Sequence, residues 1–179
     1  MPRGNLSAPL PKARPDSRAP DEEVVILVGA APTFSGRSRE TELAFKAAGS
    51  DALIWVKVIR LGGVAPKDAV ENVLDNYVDA NQAPIAQSGH GTRHYLVGRT
   101  AIGATSVELR DVYVEPDGTF TLCSRREGFI RSPACETWFA DPPNMVSMRF
   151  GRRWLETRND IKTTVQSRLL AWSRFDEER

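Results

Sequence analysis

The sequence is poor in the residues that most often carry chemistry. Its 179 residues include two cysteines and two histidines, and two cysteines with distant histidines do not complete a four-ligand structural zinc site. One-signed charge is also missing. The 24 basic and 23 acidic side chains leave a formal net charge of +1, so no global field draws the chain to nucleic acid or anionic lipid, and any electrostatic recognition must be local. Long apolar runs are absent as well. The longest, Val24–Ala31, falls well short of the roughly 20 residues that span a bilayer. It does not read as a signal peptide either, because Asp21, Glu22 and Glu23 stand where a basic n-region belongs. There is no Gly-x-x-x-x-Gly-Lys phosphate loop, no dinucleotide fingerprint after a strand, and no Gly-x-Ser-x-Gly turn to hold a nucleophile. The sequence points to no cofactor and no metal.

What is present is an ordinary globular composition, 41% hydrophobic and 26% charged, which argues against both a disordered chain and a membrane protein. The length suits one domain with a core of its own. Residues 1–22 hold Pro2, Pro9, Pro11, Pro15 and Pro20 with no periodic apolar positions. They read as a disordered proline-rich tail, because such a segment buries too little surface to offset the entropy of ordering it. Residues 23–175 read as a single α+β domain and 176–179 as a charged tail.

Within the domain, Val24–Val28 is β-branched and bounded by acids and Gly29, the pattern of a short buried strand. Arg39–Ala48 is ambiguous between a helical turn and a strand. Leu53–Ile59 is apolar on both alternating faces apart from Lys57, as an interior strand is. Pro66 fits the first position of a helix, and Ala69, Val70, Val73, Leu74, Tyr77 and Val78 recur at helical spacing. This predicts an amphipathic helix over about 66–80, lying on a sheet. Strands follow at Thr92–Val97 and Ser106–Val114. In the second, Val107 and Leu109 share one parity and Val112 and Val114 the other, which predicts a β-bulge near Asp111. Glu115-Pro116-Asp117-Gly118 is a turn signal that returns the chain as the strand Thr119–Cys123, and a tight return through Pro133 leads to Cys135. A half-buried strand Met145–Phe150 precedes a long terminal helix over about 152–174, with Trp154 and Trp172 as anchors at its two ends. The expected fold class is α+β, a largely antiparallel sheet packed by these two helices.

Cys123 and Cys135 are the disulfide candidates, with eleven residues between them and Gly128 and Pro133 available for the turn. The alternative is a pair of free, partly buried thiols in a reducing compartment. His90 and His94 have the i, i+4 spacing of a helical metal site, but Gly89 and Gly91 flank His90 in a loop and no glutamate stands beside it. Ser88 near His90 is no triad, since triads converge from distant segments. The most suggestive charge feature is basic: Arg125, Arg126, Arg131, Arg149, Arg152 and Arg153 fall within one stretch of the chain. Gathered on one edge, they would form a partner-binding patch for an acidic protein, a phosphate group or single-stranded nucleic acid.

The pattern Thr121-Leu122-Cys123, Pro133-Ala134-Cys135, Trp138-Phe139, Val146–Phe150 and Trp154-Leu155 leading into Ile161, Val165 and Leu169 resembles uncharacterised envelope proteins of proteobacteria. The element order is similar to the PsbP/Mog1/DcrB-like fold, whose members are mostly accessory or binding proteins, and some immunity proteins against secreted bacterial toxins have a comparable layout. The resemblance implies a non-enzymatic binding or accessory protein of the bacterial envelope, including an immunity-type inhibitor, and supplies no catalytic residues. A protein partner is expected rather than nucleic acid. The location is periplasmic or envelope-associated where a leader or anchor precedes the segment, and cytoplasmic otherwise. Two alternatives stay open, a small hydrolase using His90 or His94 and a nucleic-acid-binding accessory factor using the arginines.

Overall fold

The computed structural model describes residues 23–46, 52–100, 107–125 and 134–177. The expectations for residues 1–22, and for Arg126 and Arg131, lie outside them. Eight strands among the described residues form one antiparallel sheet: β1 (Glu23–Ala30), β2 (Leu53–Arg60), β3 (Ala86–Gln87), β4 (Arg93–Thr100), β5 (Val107–Val114), β6 (Phe120–Ser124), β7 (Ala134–Asp141) and β8 (Asn144–Gly151). Their spatial order is β1-β2-β8-β7-β6-β5-β4-β3. Three helices accompany it: α1 (Glu42–Lys46), α2 (Pro66–Leu74) and α3 (Arg158–Glu177), the last entered through a 3-10 segment, Arg152–Thr157. The α+β class with a long C-terminal helix is as the sequence predicts. No helix among the described residues is long and apolar enough to cross a membrane.

Both faces of the sheet are apolar, which follows from strands whose odd and even positions are both hydrophobic. On the first face, Ile54, Val56, Cys123, Cys135, Phe139, Val146, Met148 and Phe150 meet Leu155 of the 3-10 segment and Ile161 and Val165 of α3. On the second, Ile59, Tyr95, Val97, Val112, Val114, Phe120, Leu122, Trp138 and Met145 meet Ala69 and Val70 of α2 and the nearby Val78. Thr121 and Thr137 stand opposite each other and share a buried hydrogen bond of 2.8 Å. Cys123 and Cys135 form the next such pair on that face and are joined as a disulfide, with Cα atoms 4.1 Å apart.

Several expectations need correction. Cys135 belongs to a strand, not a return loop: β7 runs between β6 and β8. Its alternation is obscured by Glu136 and by cover on both faces, where Thr137, Trp138 and Phe139 are consecutively buried. There is no bulge at Asp111, because β5 keeps unbroken register with both β4 and β6. The parity change arises because β5 is covered on both sides, with Val112 and Val114 facing α2 while Asp111 and Tyr113 face the other layer. Helix α2 stops at Leu74, earlier than predicted. Asn76 donates through its side chain to the carbonyl of Asn72 at 2.7 Å, and the amides of Asn76 and Tyr77 bond three residues back, which tightens the chain out of the helix. The ambiguous stretch near residue 42 is helical.

The terminal helix has one aromatic anchor, not two. Trp154 packs against the first core from the 3-10 segment, whereas Trp172 is 46% exposed. Strand β1, expected to be buried, is an edge strand: Val24, Val25 and Ile26 are 43%, 45% and 63% exposed. Its β-branched composition reports strand preference and not position in the sheet.

The disulfide closes a short loop between adjacent strands, with a sequence separation of 12. Replacing both Cys123 and Cys135 by Ala is expected to lower unfolding stability by about 3 kcal/mol, the loop-entropy contribution for this separation. Urea denaturation of the oxidised wild type against the double variant measures it.

Candidate functional site

Two groupings of side chains stand out from the packing. The first is centred on Asp111, which is 1% exposed on the first face of β5. His94 of β4 contacts it, with Nε2 2.9 Å from Oδ1. Arg152, at the start of the 3-10 segment, donates from Nη2 to Oδ2 at 2.5 Å and from Nη1 to the Ser124 carbonyl at 2.6 Å. Arg125 Nε lies 3.6 Å from Oδ2. The His94 ring stacks on Tyr113 with centroids 4.4 Å apart, and the Arg158 guanidinium lies over the same tyrosine at 5.5 Å. Arg158 also donates to Glu115 at 2.6 Å, and the Thr92 hydroxyl donates to the other oxygen of that carboxylate.

The electrostatics of this cluster follow from its partners. Burial pushes the Asp111 carboxyl up, but the hydrogen bonds from Arg152 and His94 and the charges of Arg152 and Arg125 outweigh it, so the group sits below the usual carboxylate range. The Tyr113 phenol is raised, by burial first and by the Asp111 charge second. Chemically, the arrangement holds a charged carboxylate and fixes an imidazole. Among the described residues no hydroxyl or thiol bonds to His94, so nothing stands in the position of a nucleophile next to a base. His90 lies apart, exposed in the hairpin turn where Ser88 Oγ accepts the Thr92 amide hydrogen. Among the described residues no group of three or more metal-ligating side chains converges. The cluster fastens the start of the terminal helix to β4 and β5.

The arginines of the sequence candidate separate. Arg125 and Arg152 meet at Asp111, which draws them inward. Arg153 is exposed on the 3-10 segment, its guanidinium 4.8 Å from the Trp154 ring centre. Arg149 is exposed on β8, opposite Trp55 on one side and Glu136 on the other, so it belongs to the second face of the sheet.

That second face holds the other grouping. Helix α2 packs on β7 and β8 and reaches β2 at Ile59; farther along β1 and β2, toward Ile26 and Trp55, no helix of the described residues covers this face. There Val24, Ile26 and Val28 stand opposite Ile59, Lys57 and Trp55. Ile26 and Trp55 are 63% and 47% exposed, an apolar pair on adjoining strands with nothing packed over it among the described residues. Lys57 and Arg149 border the pair. Glu136 sits behind Arg149: burial pushes its carboxyl up, while a Ser147 hydrogen bond and the charges of Arg149, Lys57 and Arg110 oppose that. The charged side chains that border Trp55 directly are cations: Arg149 stands opposite it on β8, and Lys57 lies two residues along β2, opposite Ile26.

Sequence reasoning missed Asp111 as a hub and Trp55 as a surface residue. A buried acid on a strand between valines was a visible signal for the first, since such a charge must find partners. For the second, Lys57 was the signal: it marks the face of β2 that is incompletely covered.

A scan against protein-family models finds no match, and a search of curated proteins finds none. Among solved structures, the fold is similar to that of an immunity protein of the Stenotrophomonas maltophilia type IV secretion system. The TM-score is 0.55 at 16% identity, over 83% of this chain and 80% of that one. The likeness is one of fold.

Because Asp111 has a lowered pKa in the folded state, its stabilising contribution is complete above the ordinary carboxylate range and is lost as the pH falls through its folded value. Asp111→Asn is therefore expected to be less stable than wild type at pH 7, with the gap narrowing below about pH 4. Asp111→Ala, which strands Arg152 without its partner, should cost on the order of 3 kcal/mol at neutral pH. Thermal melts of the three proteins between pH 3 and 7 check both expectations.

Proposed function

We propose that this chain is a non-enzymatic binding protein of the bacterial cell envelope, of the immunity type, which occupies a surface of a secreted toxin and so blocks it. The observation that carries the reading is the Ile26–Trp55 patch: an exposed aromatic and an exposed aliphatic residue on a bare sheet face, rimmed by Lys57 and Arg149. Large aromatic side chains in that setting are the usual anchors of protein interfaces. The fold shared with a secretion-system immunity protein supports it. The disulfide supports an oxidising compartment, where such bonds persist. The Asp111 cluster gives the enzyme alternative no comparable support, since its polar groups are spent on one another. Of the arginine candidates, Arg149 borders the proposed surface, while Arg125 and Arg152 act in holding the fold.

The test is neutralisation. The chain, directed to the periplasm, is produced together with each secreted-toxin candidate encoded next to its gene; where one arrests growth, the chain is expected to restore it. Trp55→Ala should weaken the complex at least tenfold, as truncation of a central interface aromatic does, with an unchanged circular dichroism spectrum because the residue is half exposed. Titration calorimetry measures the loss. Turnover of model esters, phosphodiesters or peptidoglycan by the purified chain would overturn the reading, as would growth arrest that the chain does not relieve.

A further inference from the structure

The hydrogen bonds at the end of β1 reveal which of its main-chain groups are free. Ala30 is paired with Leu53 in the ladder to β2, yet its N–H donates to the Ser35 carbonyl at 2.7 Å and its carbonyl accepts from the Ser35 amide at 3.1 Å. The polar groups of Ala30 therefore point away from β2. The next amide, Ala31, turns the other way and bonds to the Ala52 carbonyl at 2.8 Å. Successive residues of a strand alternate in this respect, so Val28, Ile26 and Val24 direct their N–H and C=O outward, while Leu27 and Val25 direct theirs to β2. Among the described residues nothing bonds to the outward groups of those three, because β1 is the end of the sheet.

The same three side chains lie on the second face, beside Trp55 and Lys57. The open main chain and the bare apolar patch are thus two aspects of one surface. Edge strands are ordinarily guarded by lysine, proline or a bulge. Val24–Val28 contains neither residue, and its register with β2 is unbroken.

We infer that β1 receives an extended segment of the partner protein as a ninth strand, paired with Val24, Ile26 and Val28, and that the segment places carboxylates on the face of Trp55, near Lys57 and Arg149. This rests on the reading above that the chain binds a protein, and gives the mode of binding. The acidic character follows from the two cations beside the apolar pair, Lys57 opposite Ile26 and Arg149 opposite Trp55. A second copy of this chain fits less well. Two β1 strands joined about a two-fold axis would bring Lys57 and Arg149 of both molecules onto one face, with only each molecule's own Glu136 to offset them.

The experiment uses the full chain and a labelled peptide, acetyl-Thr-Asp-Thr-Val-Thr-Asp-Thr-amide, which as a strand presents two aspartates and a valine on one face. Fluorescence anisotropy is expected to show binding at least tenfold tighter than that of the same peptide with lysines in place of the aspartates. Ile26→Pro removes an outward N–H and leaves the bonds of Val25 and Leu27 to β2 in place; it should abolish binding, whereas Ile26→Val should preserve it. A peptide with its valine and central threonines N-methylated should also fail to bind, which tests main-chain pairing without altering the protein. Equal affinity for aspartate and lysine peptides, binding insensitive to both Ile26→Pro and N-methylation, or a dimer of the chain alone in sedimentation that Ile26→Pro dissolves would each overturn the inference. A toxin held through Trp55 but indifferent to Ile26→Pro would overturn strand addition and leave neutralisation standing. Failure of neutralisation with peptide binding intact would do the reverse.

Discussion

A sheet buried on both faces is the constraint on which this structure depends. Strands β6, β7 and β8 present side chains to α3 on one side and to α2 on the other, and their centres carry Phe120, Cys123, Cys135, Phe139, Val146, Met148 and Phe150, each no more than 1% exposed. Each of the Phe, Val and Met side chains among them contributes on the order of 2 kcal/mol by leaving water. The threonine hydroxyls that fall inside between β6 and β7 pair with each other, Thr121 with Thr137. At the β1 end, Val24, Val25, Ile26 and Trp55 are between 43% and 63% exposed. The contrast between the doubly covered middle and the half-covered margin separates what stabilises the protein from what is free to touch another.

Asp111 shows how a costly group is made compatible with that middle. A carboxylate that is 1% exposed would be strongly disfavoured alone. Here it receives Arg152 and His94 directly and Arg125 at longer range, from three separate parts of the chain. The cluster ties the beginning of the terminal helix to the sheet by charge, where Leu155, Ile161 and Val165 tie it by packing. Lys162 extends the same logic one turn along α3, donating at 2.6 Å to Asp117 in the β5–β6 turn and at 2.6 Å to Thr119.

Much of the fold was legible because its strands and helices follow simple periods. The spacing of Ala69, Val70, Val73 and Leu74 gave α2, the alternation of Val146, Met148 and Phe150 gave β8, and the Pro116-Asp117-Gly118 signal gave the hairpin, in which Gly118 takes the positive φ of 85° that favours glycine. What was not legible concerns position. Composition cannot distinguish an apolar strand in the interior from one at the margin, so β1 was expected inside. A strand covered on both sides loses its period, so β7 went unseen and β5 suggested a bulge. The site suffered likewise: proximity in sequence grouped six arginines, whereas the sheet sends Arg152 toward Asp111 and Arg149 to the opposite face. Charges near one another along a strand alternate between faces, and only the register tells which of them meet.

The place of β8 has a further consequence. It is the last strand in the chain, yet it lies between β2 and β7, two strands separated by more than seventy residues of sequence. Until β8 is available, the β1–β2 hairpin and the β4-to-β7 meander are two pieces with no strand in common. The sheet is therefore closed from the C-terminal side, and the hairpin that carries Ile26 and Trp55 has two unpaired margins for as long as the chain is incomplete. Joining such distant segments is slow compared with forming either piece. A chain delivered N-terminus first, whether from a ribosome or across a membrane, thus presents its stickiest strand before the one that anchors it.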